Sequence, residues 1–132
     1  MYKKILVPMD CSPVDDPVVD HVGELAGVHG SEVVLVRVVS SETRDAFAHE
    51  KKEAEAIMEK QAAKLREKGL TVSALVLRGD PAKAILDTAA NLGCDLIAMG
   101  THGHKGVQDW VRGSVAEAVR HEAKIPVLLI RG

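Results

Sequence analysis

Five short apolar runs, rich in β-branched residues and bounded by turn formers, constrain this chain more than anything else in it: Lys4 to Met9, Glu32 to Val39, Thr71 to Leu77, Asp95 to Met99 and Val127 to Ile130. Runs of this length and make-up favour strands over buried helix. Between them lie helical stripes. Val18, Val22, Leu25, Ala26 and His29 recur at helical spacing, as do Ala54, Ile57, Met58, Gln61 and Leu65, so each of these helices presents one covered face. Asp80-Pro81 supplies an N-cap followed by proline at the first helical position, and the stripe Ile85, Leu86, Ala89 runs to Gly93, which suits the left-handed residue after a helix. Ser114 with Glu117 reads as a capping box that opens a last helix through Ala118, Val119 and Glu122. Ser40 to Glu50 is polar, either a loop or an early turn of the long charged second helix.

The order βαβαβαβαβ predicts an α/β fold: a parallel sheet with right-handed crossovers and helices on both faces. Composition agrees, because 46% of the residues are apolar while only 2% are aromatic, which leaves Val, Ile, Leu, Ala and Met to fill the interior of a covered parallel sheet. The 132 residues show no linker-like break and fit one domain, 1–132. In an open sheet of strand order 3-2-1-4-5 the winding direction reverses between strands one and four, and ligands bind in the crevice outside the carboxyl ends there. Those ends are Val7-Pro8-Met9-Asp10 and Ala98-Met99-Gly100-Thr101.

Several classes of function are disfavoured. A formal charge of -2, from 17 basic and 19 acidic residues, gives no basic patch for a phosphate backbone, and three aromatic residues give no platform for stacked bases, so nucleic acid is not an expected partner. The opening apolar run ends at Asp10, too short for a signal peptide or a membrane span, which points to the cytoplasm and to no membrane association. Cys11 and Cys94 fall at opposite ends of neighbouring strands, about 16 Å apart at about 3.3 Å per residue. A disulfide needs Cα atoms within about 7 Å, so both are expected as free thiols.

The chemistry concentrates after the fourth strand, in Gly100-Thr101-His102-Gly103-His104-Lys105-Gly106 and on to Arg112-Gly113-Ser114-Val115. Glycines let the backbone turn sharply and approach a ligand, so that successive N–H groups point at phosphate oxygens. Ser114 adds a hydroxyl, and the N–H groups opening the last helix add the positive end of a dipole. A di- or triphosphate fits such a cradle. The spacing matches neither a Walker A loop nor a dinucleotide Gly-x-Gly-x-x-Gly fingerprint. His102 and His104 form a His-x-His pair, but two ligands without a third or fourth do not make a metal site.

The spacing Gly-2x-Gly-9x-Gly-Ser resembles the motif of the universal stress proteins. So do the opening Lys4 to Ser12, the Gly79-Asp80-Pro81 turn, the strand Cys94 to Gly100 and the closing Ile125 to Ile130, so the chain resembles that family from end to end. The resemblance implies a Rossmann-like sandwich similar to the adenine nucleotide alpha hydrolases, the ATP-binding branch of the family, and a homodimer formed through the last strand, Val127 to Ile130. Residue by residue it implies that Pro8 and Asp10 line the nucleoside side. Val38 or Val39 bounds the adenine, Met99 and Gly100 lie near sugar and base, and Gly103, Gly113, Ser114 and Val115 hold the phosphates. His102, His104, Lys105 and Arg112 are further candidate phosphate contacts, offsetting Asp109. An ionised Asp10 can only accept hydrogen bonds, from ribose hydroxyls or from the adenine amino group.

No catalytic apparatus accompanies this cradle. Phosphoryl transfer needs a positioned base or water-orienting group and a metal clamp, and the carboxylates near the expected site are Asp10 and Asp109. The expectation is a nucleotide-responsive regulatory dimer read by an unidentified protein partner, with at most slow ATP hydrolysis and any Mg2+ held by phosphates and water. Two rival readings are an enzyme that cleaves ATP or transfers its adenylyl group, and an interaction module whose loop binds no nucleotide.

Overall fold

Strands form where the apolar runs stand. The computed structural model describes residues 1–101 and 114–131, and in chain order it shows β1 (Lys4–Pro8), α1 (Asp15–His29), β2 (Glu32–Val39), α2 (Arg44–Glu67), β3 (Val72–Arg78), α3 (Pro81–Leu92), β4 (Leu96–Thr101), α4 (Ser114–Glu122) and β5 (Val127–Arg131). The sheet is five-stranded and parallel throughout, in the order β3-β2-β1-β4-β5. The expected strand order is therefore the observed one.

Alternate residues of the central strands serve two separate cores. Ile5, Val7, Val33, Leu35, Leu96 and Ala98 face one side, where they pack with Val18, Val19, Val22 and Ala26 of α1 and Ala54, Met58, Ala62 and Leu65 of α2. Leu6, Val34, Val36, Val38, Ile97 and Met99 face the other, against Ile85 and Ala89 of α3 and Val115, Ala116 and Val119 of α4. Strands covered on both faces have no polar alternation, which is why the sequence shows them as continuous apolar runs.

Helix ends follow local chemistry. Thr43 caps α2 by accepting the Ala46 N–H at 3.0 Å, so the segment Ser40 to Glu50 divides into a short connection and the first turns of a helix that begins at Arg44. Asp80 caps α3 by accepting the Lys83 N–H at 3.0 Å, Pro81 follows it, and Gly93 closes the helix in the left-handed region at φ 69°. One expectation about α2 is corrected. Ile57 is 42% exposed, because the buried set Ala54, Met58, Gln61, Ala62 and Leu65 leaves position 57 on the flank. Gln61 is admitted to that buried set by a 2.8 Å bond from its Nε2 to Asp16 Oδ1. Glu117 of α4 gives both carboxylate oxygens to Arg120, at 2.9 and 2.7 Å, while the Ser114 side chain of the expected capping box is not among what is described. Cys11 and Cys94 are free thiols at opposite ends of the β1/β4 pair. No helix among the described residues is long and apolar enough to cross a membrane.

Candidate functional site

The sheet opens where the winding reverses. The β1/β4 ladder pairs Ile5 with Leu96 and Leu6 with Ile97 and ends there, although β1 runs on to Pro8 and β4 to Thr101. Beyond that point each strand keeps its other neighbour: Val7 and Pro8 stay paired with Leu35 and Val36, and Ala98 to Thr101 with Leu128 to Arg131. A parallel sheet parted at its switch point is the standing location for a ligand.

At this opening the chain leaves β1 through a turn held by one side chain. Asp15, at the start of α1, reaches back so that Oδ1 accepts the Asp10 N–H at 2.9 Å and Oδ2 accepts those of Cys11 at 2.7 Å and Ser12 at 3.4 Å. These bonds fix Cys11 at φ 61°, the one non-glycine residue with positive φ among those described, a conformation that disfavours any side chain carrying a Cβ. Burial pushes the Asp15 carboxyl up to about 6, against the pull of the Asp10 and Cys11 N–H groups and with a further push from the Asp10 charge. Burial likewise pushes the Cys11 thiol up to about 11, with Arg37 pulling the other way, so Cys11 has little thiolate at neutral pH.

Asp10 lies inside this turn, with its side chain 0% exposed. Its Oδ2 accepts the Ser12 Oγ–H at 2.6 Å, and Arg37 Nη1 stands 4.0 Å from its Oδ1. Arg37 leaves β2 one position past Val36, the partner of Pro8, where β1 has ended and the turn crosses. The Met9 N–H, donated to Val36 O at 2.7 Å, ties the turn to β2 at the same level.

The structure brings together part of the expected set. Pro8 ends β1, Asp10 follows it, and Val38 and Val39 end the neighbouring β2, 6% and 3% exposed. Met99 is wholly buried in the α3/α4 core, so its side chain serves packing, and Val115 packs in the same core from the first turn of α4. Gly100 pairs with Ile130 inside β4, and a Cβ there would lie 2.8 Å from Val18 Cγ2; its lack of a side chain is explained by the close approach of α1. Ser114 opens α4, and only its backbone is described. His102, Gly103, His104, Lys105, Arg112 and Gly113 lie outside the described residues.

Sequence reasoning missed Asp15, Arg37 and the tie of Ser12 to Asp10. Arg37 left a visible trace, a single charge inside the apolar run that follows Glu32. Asp15 left none, since an acidic residue in the first turn of a helix ordinarily serves the dipole. A cleft of about 630 Å³ lies between α3 and α4, lined by Asp80, Lys83, Asp87, Val115 and Glu122 among others; among the described residues it shares Val115 with the expected site.

Comparison with known proteins gives a consistent result. The model of the universal stress protein family matches residues 1–131. Universal stress protein MJ0577 of Methanocaldococcus jannaschii is 30% identical, across 99% of this chain and 96% of that protein. Universal stress protein YxiE of Bacillus subtilis is also 30% identical, across 99% of this chain and all of that protein. The solved structure of MJ0577 superposes with a TM-score of 0.83 at 31% identity, covering 100% of this chain and 97% of that one. A universal stress protein of Archaeoglobus fulgidus, solved in complex with dAMP, superposes with a TM-score of 0.78 at 25% identity and covers 98% of each chain.

Proposed function

The chain belongs to the universal stress protein family, and from that premise we propose that it binds an adenine nucleotide, ATP, in the parted end of the sheet between β1 and β4. The observation that carries this reading is the end of the β1/β4 ladder at Leu6 and Ile97, beside the Asp10 turn and on the core that Val115 of α4 enters. The complex of the Archaeoglobus relative with dAMP supports the same ligand class. The described residues suit the nucleoside half: Pro8 and either Val38 or Val39 offer apolar walls and Asp10 an acceptor. Met99 and Gly100 contribute backbone near the sugar. The phosphate half falls to Gly103, Gly113, Ser114 and Val115, with His102, His104, Lys105 and Arg112 as further contacts, and bound Mg2+ is held by the phosphates.

In this reading the protein is a cytoplasmic regulator, a homodimer whose partner protein senses nucleotide occupancy. The outer strand β5 supports self-association: it is an edge of the sheet, with Leu129 39% exposed and Val127, Leu128 and Ile130 half-buried. Unpaired edges invite pairing with another chain.

The test is to purify the protein without added nucleotide, denature it and analyse what is released. Near-stoichiometric adenine nucleotide, lost in Gly113→Val, is the expected result. An empty protein whose stability does not respond to ATP, where about 2.7 kcal/mol is due at 100 times Kd, would overturn the reading.

A further inference from the structure

We infer that Arg37 is the positioning residue of this site: it serves as a fixed counter-ion to one oxygen of Asp10, while the Ser12 hydroxyl keeps the other oxygen occupied until a donor of the nucleoside replaces it. The inference rests on the binding reading above and assigns roles within it to two residues.

Three observations lead to it. First, a carboxylate whose side chain is 0% exposed can meet a nucleoside only by exchanging one of its neighbours. Second, Ser12 and Arg37, two of those neighbours, are unequal. Ser12 Oγ, 2.6 Å from Oδ2, is a neutral donor, and replacing it with a ribose hydroxyl or an adenine amino group trades one neutral hydrogen bond for another. Arg37 Nη1, 4.0 Å from Oδ1, is a charge, and removing it would leave a buried carboxylate with one positive neighbour fewer, which is the costlier exchange. Third, Arg37 occupies a strand position where an apolar residue is otherwise the rule. Of the residues Val33 to Val39 it alone is half-buried and the rest are buried, and a guanidinium at the rim of a covered sheet needs an anion beside it.

Two consequences follow for binding. The Arg37 charge offsets that of Asp10, so a polyphosphate enters a cleft whose buried acid is already balanced. And because the Arg37 charge stands beside Oδ1 while a neutral hydroxyl holds Oδ2, it is Oδ2, the oxygen shared with Ser12, that turns to the ligand.

The experiment measures ATP affinity by calorimetry, with thermal melts to confirm folding, in the wild type and in Arg37→Gln, Arg37→Lys, Asp10→Asn, Ser12→Ala and the double variant Asp10→Asn/Arg37→Gln. Arg37→Gln should weaken binding about tenfold, and Arg37→Lys, which keeps the charge, should restore it to within about threefold. In the Asp10→Asn background Arg37→Gln should add no further loss, because the Asp10 charge that Arg37 answers is already gone. Ser12→Ala, which only removes the competitor, should bind as well as wild type or up to about threefold tighter. Wild-type affinity in Arg37→Gln, or a tenfold loss that persists in the Asp10→Asn background, overturns the role of Arg37; a comparable loss in Ser12→Ala overturns the exchange at Oδ2. A wild type that binds no adenine nucleotide is a different failure: it overturns the binding reading itself, and this inference with it.

Discussion

Two aspartates open two helices in this protein and do opposite jobs. Asp80 sits in front of α3 with extended backbone, φ -74° and ψ 122°, exposed, and accepts the Lys83 N–H of the helix it begins. Asp15 is inside the first turn of α1, 3% exposed, and its carboxylate turns away from its own helix to the N–H groups of Asp10, Cys11 and Ser12. The residue standing at the N-cap of α1, Val14, makes no side-chain capping bond at all. One end is built for the helix and the other for the turn at the mouth of the sheet. The difference shows one helix start left without its own cap while its acid holds the turn before it.

Removing the two side chains should separate those jobs most widely. Asp15→Ala leaves three N–H donors of the β1/α1 turn without their acceptor and releases a left-handed cysteine. The expected cost at pH 5 is about 3 kcal/mol in urea unfolding, with a fall in Tm of about 10 °C. ATP affinity should collapse with it, because the same turn carries Asp10. If Asp15→Ala costs no more than Asp80→Ala, the contrast between the ends is broken.

The pH dependence sharpens the comparison further. Folded, the Asp15 carboxyl holds its proton up to about pH 6, whereas unfolded it loses it near its ordinary value of 3.8. Between those values folding takes up a proton, so the stability this group provides is complete below the unfolded value and is lost as pH rises through about 6. The loss amounts to as much as about 3 kcal/mol for a shift of about two units. Asp95 and Glu117 are held below their ordinary values by their hydrogen bonds and contribute the opposite slope. The useful quantity is therefore the difference between wild type and Asp15→Asn, which should narrow as pH is raised from 4 to 8. A constant difference would show that Asp15 is ionised throughout.

The same contrast explains what could be read from the sequence. Asp80-Pro81 and Gly93 announce α3 because their bonds are local, spanning three or four residues in a fixed direction. The sheet order was legible because doubly covered strands must be apolar throughout, and the place of Asp10 at the opening because it follows the central strand. Asp15 was not, since a backward bond to a turn leaves the same letters as a dipole-serving acid. Arg37 and Asp10 are 27 positions apart, and only the register of Pro8 on Val36 brings them together. Gly100 was legible as a special position but for a different reason, since Val18 of α1, far off in sequence, fills the space its Cβ would need. Tertiary approach, unlike capping, has no local signature.

The smallest effects belong to Asp80, and they test whether its cap is as ordinary as its geometry. Asp80→Ala removes one acceptor from an exposed helix start and should cost about 1 kcal/mol. Asp80→Asn keeps an oxygen in the same place and should cost only a few tenths, since asparagine and aspartate cap comparably. Neither should change ATP affinity, because Asp80 lies on the α3/α4 cleft and not in the β1/β4 opening. Chemical denaturation of both variants at pH 5, beside Asp15→Asn, gives the ranking directly, because the Asp15 contribution is still present there. An Asp80→Asn cost equal to that of Asp15→Asn would mean that the two carboxylates are held alike, and the backward reach of Asp15 would lose its special standing.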